Sequence, residues 1–193
     1  MGSRGQSAVI RESSGAYRNA LENAEASIRS DPVETAFCLD KDGNELFRES
    51  QGAVSYVMLS PDQTAKMKDA NFTHNHPSGT TFSTEDISLC VKTEAASFRA
   101  TSTLTDYELA RMKGSYPNRA NFANDYQAAQ DAAKRITDKE FAGIEAAHNN
   151  GQITDEQFQK ECDRLNGVLA SERDKWLRKN AKRYGYRYTV TRR

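Results

Sequence analysis

Residues 73–86 read THNHPSGTTFSTED and hold two of the chain's three histidines, with an aspartate ten residues after the second. On an extended strand, residues i and i+2 project from one face and lie about 7 Å apart along it. Phe72, His74 and His76 therefore share a face, and two imidazoles can converge on one ion. Pro77 keeps His76 extended and ends the strand, which leaves the pair at a rim rather than mid-sheet. Asp86 falls in the first turn of the next helix, and a loop of this length can bring its carboxylate back to the same ion. Two imidazole nitrogens and one carboxylate oxygen make up a catalytic zinc site with its fourth position open to water. Water held there becomes acidic enough to act as a nucleophile near neutral pH.

The same residues also permit a reading without metal. Ser83-Thr84-Glu85-Asp86 ahead of an apolar run is a capping box, with Ser83 as N-cap and Asp86 at the third helical position. That alone explains the serine and the acid, though not two histidines paired on one strand face just ahead of them. Composition and spacing leave both readings open.

The pattern His74-x-His76-Pro77 followed by Ser83-x-x-Asp86 resembles the signature of the JAMM/MPN+ (JAB) metalloprotease family. The spelling HNHPSG is closer still to the bacterial RadC proteins, and FTHNHPSGTTFSTEDI is similar to JAB domains of phage and polymorphic toxins. The resemblance covers roughly residues 30 to 112. The loop from Pro77 to Phe82 is one residue shorter than the family's usual spacing. The resemblance implies a JAB/MPN-like, cytidine-deaminase-like fold and zinc held by His74, His76 and Asp86. It also implies a protein or peptide substrate, an oxyanion donor at Ser83, and a glutamate on an earlier strand that takes the proton of water. Glu34 is the candidate for that glutamate, on a strand where it shares a face with the small residues Ala36 and Cys38. Glu45 and Glu49 on the return strand are weaker alternatives.

Other chemistries fit less well. The letters His74-Asn75-His76 spell HNH, but the nuclease of that name spreads its residues over a longer ββα unit. A zinc deaminase needs a Glu two residues after its His and a PCxxC, and neither is present. His148, in EAAHNNG, suits a helix end, where a cation complements the dipole.

The elements that must position these groups follow from pattern. GAYRNALENAEASIRS (15–30) reads as an amphipathic helix. A hairpin follows, with Val33–Leu39 and Glu45–Arg48 joined by a turn at Asp42-Gly43-Asn44. AVSYVMLS is a strand or loop, and Ser60-Pro61 opens a short helix. ANFTHNH is a strand, and TEDISLCVKTEAASF a helix whose stripe is Ile87, Cys90, Val91 and Phe98. RATSTLTDYELARMK holds one or two strands. Residues 121–183 contain no proline and are rich in helix formers, which predicts two or three helices. Openings are expected at ITDKEF (136–141) and ITDEQF (153–158), both capping-box patterns, with HNNGQ as a turn between them. The apolar stripe of the last helix is Phe158, Cys162, Leu165, Leu169 and Trp176. GYRYTV alternates like a strand that returns to the sheet.

The expected fold is thus α/β (α+β): a mixed sheet flanked by helices, with a C-terminal helical hairpin arm. Its divisions are a flexible terminus or tag over 1–14, the metal-binding domain over 15–119, the arm over 120–183, and a terminal strand with basic tail over 184–193. The hydrophobic fraction of 37% and mean hydropathy of −0.82 agree with a partly solvent-washed arm, and such an arm invites homodimer formation. Basic and acidic residues balance at 27 each, so no global field draws the chain to nucleic acid or membrane. Between Lys175 and Arg193, however, stand eight basic residues and no acid, which leaves nucleic acid open as a partner of the tail. Three scattered cysteines without a CxxC suit reduced, buried thiols. No apolar run reaches membrane-spanning length and no signal peptide is recognisable, so a cytoplasmic protein is expected.

Overall fold

A computed structural model describes residues 15–112 and 114–193. The expected flexible or tag-like stretch over 1–14 lies outside the described residues. The elements run α1 (Gly15–Ile28), β1 (Thr35–Leu39), β2 (Glu45–Ser50), α2 (Pro61–Lys66), β3 (Asn71–Asn75), α3 (Thr84–Thr93), β4 (Ser97–Thr101), β5 (Thr105–Arg111), α4 (Arg119–Asn149), α5 (Asp155–Tyr184) and β6 (Tyr186–Arg192). Six strands form one mixed sheet in the order β2-β1-β3-β4-β5-β6. Only β3 and β4 pair in parallel, and α3 supplies the crossover that a parallel pair requires.

Alternation along β3 divides its side chains between two layers. Phe72 and His74 face the main core, where Phe72 stacks on Phe98 of β4 with centroids 4.8 Å apart, an arrangement worth about 0.5–1.5 kcal/mol beyond area burial. Thr73 faces α1 instead, and its hydroxyl donates to the buried Glu25, which also accepts from Arg99 Nε at 2.6 Å. This charged layer ties α1 to the back of the strand that carries the histidines.

Two expected boundaries differ. The helix after Asp86 ends at Thr93 rather than near Phe98, because Glu94 turns left-handed and the chain re-enters the sheet; Phe98 is therefore a β4 residue. The predicted start at ITDKEF does not occur, and α4 runs through it. Thr137 donates to Ala133 O and Lys134 O of the preceding turn instead of capping. At ITDEQF the box does form, with Thr154 as N-cap and Gln157 reaching back. The difference lies upstream, where HNNGQ breaks the first helix, whereas no Gly or Pro stands within α4 ahead of ITDKEF.

The helical pair shares the core of the sheet. Phe122 of α4 stacks on Tyr184 at 4.6 Å and Tyr186 at 5.1 Å, and all three are buried in the cluster that includes Phe98 and Leu109. Gly185 joins α5 to β6 at φ +67, and a Cβ there would meet Pro117 Cδ at 2.5 Å, so both backbone and space require glycine. Five of the eight residues of the basic run are ion-paired: Arg193 with Asp106, Arg187 with Glu108, Arg183 with Asp125, Arg178 with Asp174, and Lys175 with Glu172. No helix among the described residues is long and apolar enough to cross a membrane.

Candidate metal centre

The sheet register assembles the site. Ala36 of β1 lies opposite His74 of β3, and continuing that antiparallel register sets Glu34 across from His76. Glu34 lies one residue ahead of β1 rather than inside it, with its backbone N–H donating to Ala53 O at 2.7 Å. His76 lies one residue beyond β3, held by its N–H to Thr101 O at 2.8 Å. Both therefore occupy the rim at the carboxyl end of the parallel pair, where open α/β sheets place their ligand sites.

Asn75, between the histidines, projects to the opposite face and is fully buried. Its Oδ1 accepts from Thr35 N at 2.7 Å, and its Nδ2 donates to Asp31 O at 3.1 Å and Val33 O at 3.0 Å. This side chain clamps the segment that carries Glu34. Sequence reasoning passed over it, although a buried polar residue inside a strand must find partners.

Three groups converge at the rim. His74 Nε2 and His76 Nε2 are 2.9 Å apart, and the Asp86 carboxylate lies 3.2 Å from the first and 3.3 Å from the second. With ligand bonds of 2.0–2.1 Å, the edges of a tetrahedral zinc shell measure about 3.3 Å; the carboxylate meets that spacing through Oδ1 to His74 and Oδ2 to His76, and the two imidazole nitrogens are closer than it. The tautomer fits too. His76 Nδ1 donates to Thr80 O at 2.7 Å, which fixes the ring and, in its neutral form, leaves Nε2 as the lone-pair nitrogen. His74 is buried, and its Nδ1 has no partner among the described residues.

Glu34 also lies close, its carboxylate and the two histidine nitrogens all within 4.8 Å of one another. Two carboxylates thus face the histidine pair. Asp86 is the nearer of the two to both nitrogens, and Glu34 stands at the range of a group acting through one water. Burial pushes the Glu34 carboxyl up, the histidine charges pull it back, and Asp86 pushes it further up. Burial also opposes charge on Asp86, but His74 and His76 outweigh it and hold that carboxyl well below the usual range. Burial disfavours the charged form of His76, and the bond to Asp86 with its negative charge overcomes this and raises it.

Ser83 is the N-cap of α3, as its sequence suggests. Its Oγ accepts from Asp86 N at 3.0 Å and donates to Asp86 Oδ2 at 2.8 Å, while Ser83 N donates to the same oxygen at 2.7 Å. The cap and the carboxylate that faces the two histidines are therefore one structure: the box that starts the helix also orients the aspartate. Glu45 is exposed, Glu49 accepts from Gln63, and neither borders the site. His148, in the last turn of α4, bonds Asp155 and stacks on Phe158.

The short loop from Pro77 to Phe82 is held by three tyrosine hydroxyls from later in the chain. Tyr107 of β5 donates to Gly79 O at 3.3 Å, and Tyr126 of α4 donates to Phe82 O at 2.7 Å. The Tyr188 hydroxyl of β6 meets Thr81 Oγ1 at 3.0 Å. Arm and terminal strand are thus braces for the loop that delivers Ser83 and Asp86. A cleft of 510 Å³ opens over the centre, bordered by Glu34, the exposed Val54 and Tyr56, the 77–83 loop, Leu89 and Arg173. Comparison with known proteins gave no match to a family model, a curated protein or a solved structure.

Proposed function

We propose that the chain is a zinc-dependent hydrolase of the JAMM type, with a JAB/MPN-like core, that cleaves a peptide or isopeptide bond with water. The observation that carries this reading is the convergence of His74, His76 and Asp86 within 2.9–3.3 Å at the floor of an open cleft. The zinc ion would supply Lewis-acid polarisation of a carbonyl and a lowered pKa for water. Glu34, across from His76, receives the proton of the attacking water and returns it to the leaving amine. Ser83 fixes Asp86 through its hydroxyl and its backbone N–H. Turning that hydroxyl from Asp86 toward the substrate would supply the oxyanion bond that the family resemblance implies. The unpaired, buried thiols of Cys38 and Cys90 suit a reducing compartment such as the cytoplasm.

Elemental analysis of pure protein at neutral pH, with cleavage of a quenched peptide library, tests the proposal. One zinc per chain is expected, lost in His74→Ala. Glu34→Gln is expected to keep the metal and lose about 10²- to 10⁴-fold in rate. Protein that carries no stoichiometric zinc after zinc loading refutes the reading.

A further inference from the structure

Arg173 of α5 borders the same cleft and is the one Arg or Lys side chain on its wall among the described residues. It is half-buried, and its Nε donates to Oε1 of the buried Gln130 on α4 at 2.6 Å. It makes no ion pair within 4.0 Å among the described residues, unlike Arg178 and Arg183 further along the same helix, which reach Asp174 and Asp125. A guanidinium is a planar fork of five donors, and fixing Nε orients the remaining N–H groups. Gln130 is neutral, so it aims the group without cancelling its charge.

The position relative to the centre follows from Tyr126, whose hydroxyl holds Phe82 O next to Ser83. Burial pushes that hydroxyl up, and the charges of both Arg173 and Asp86 act on it. Arg173 and the Asp86 end of the centre thus both stand near the Tyr126 hydroxyl, on the wall of one cleft. The acidic groups of the wall are Glu34, Glu85 and Asp86, with Glu34 and Asp86 grouped around His74 and His76. One oriented guanidinium among three acids suits a monoanion with a planar two-oxygen edge, which is a carboxylate.

We propose that Arg173 is a specificity residue that binds a substrate carboxylate beside the bond presented to His74, His76 and Asp86. This deepens the hydrolase reading and rests on it for the bond cleaved, though not for the carboxylate. The carboxylate has two possible sources, an acidic side chain or a free C-terminus.

Three acetylated alanine tetrapeptides separate them: one amidated and neutral, one amidated with a single Glu, and one with a free C-terminus. Their binding to zinc-loaded protein is measured by NMR titration at low salt. One acidic probe is expected to bind about tenfold tighter than the neutral one, and which one identifies the source. Arg173→Gln is expected to abolish the preference, and Arg173→Lys to retain part of it as a point charge. Thermal melts of both variants confirm that they are folded. Equal binding of all three probes, no binding of any, or a preference that survives in Arg173→Gln overturns the proposal. Displacement of the acidic probe by inorganic phosphate at lower concentration than by acetate overturns the carboxylate class. Zinc content measured on the same samples reports on the hydrolase reading separately, since loss of metal and loss of carboxylate preference are independent readouts.

Discussion

Asp86 belongs to a helix cap and to the proposed ligand set at once, and two substitutions separate these roles. Ser83→Ala removes the cap hydroxyl, with its 3.0 Å bond from Asp86 N and its 2.8 Å bond to Oδ2, but leaves Ser83 N on the carboxylate. Loss of such a cap costs about 1–2 kcal/mol, which for a chain of this size lowers Tm by about 2–8 °C. Asp86→Asn keeps the shape and removes the charge facing His74 and His76. Melting each protein with and without zinc reads the two effects. If zinc binds only the folded state, a free concentration of one hundred times Kd adds about 2.7 kcal/mol, or about 5–11 °C. Wild type and Ser83→Ala should both show that rise, the second from a lower start, and Asp86→Asn should not. A full zinc-induced rise in Asp86→Asn would falsify the assignment of this carboxylate as a ligand.

Other expectations follow from the surroundings of the site. Tyr126→Phe leaves the buried Phe82 carbonyl without its donor, at a cost of about 1–3 kcal/mol; a Tm drop with weakened zinc affinity is expected, and an unchanged affinity shows that the brace does not reach the metal site. Asn75→Asp keeps the bond from Thr35 N but sets an oxygen against the carbonyls of Asp31 and Val33. Zinc stoichiometry should persist while peptide cleavage falls, and full activity would show that Glu34 does not depend on this clamp. Asp106 gives a pH dependence: burial raises its carboxyl, but the bonds and charges of Arg193, Thr101 and Arg29 outweigh it and lower the folded value. That contribution is complete above the unfolded value of about 3.9 and disappears as pH falls through the lowered folded value. Stability measured below pH 4 should therefore fall less steeply in Asp106→Asn than in wild type.

Much of the site was readable because it obeys local periods. Two histidines at a strand's spacing, a proline that ends the strand and a capping box each depend on neighbours within a few residues, and each formed as its pattern indicates. The boundary at Phe98 was not readable, because the residue suits a helical stripe as well as a strand and only the left-handed turn at Glu94 decides between them. ITDKEF and ITDEQF carry the same cap letters, and what distinguishes them is whether the preceding chain has already been broken. The clamp of Asn75 was hidden for a different reason, since its partners lie 40 to 44 residues away.

The arm shows where such reading stops. Its helical content is plain from composition, and so is the return of the last strand, yet nothing in the spacing says that either serves the histidine rim. The three tyrosine contacts to the 79–82 loop span 28, 44 and 107 residues of sequence. A loop of six residues between His76 and Ser83 has little slack to place Asp86, and external bonds to Gly79, Thr81 and Phe82 hold it. Arg173 enters the cleft from the same helical pair. The elements outside the motif thus supply both the bonds that fix the loop between the histidines and Asp86 and the only Arg or Lys side chain on the cleft wall among the described residues.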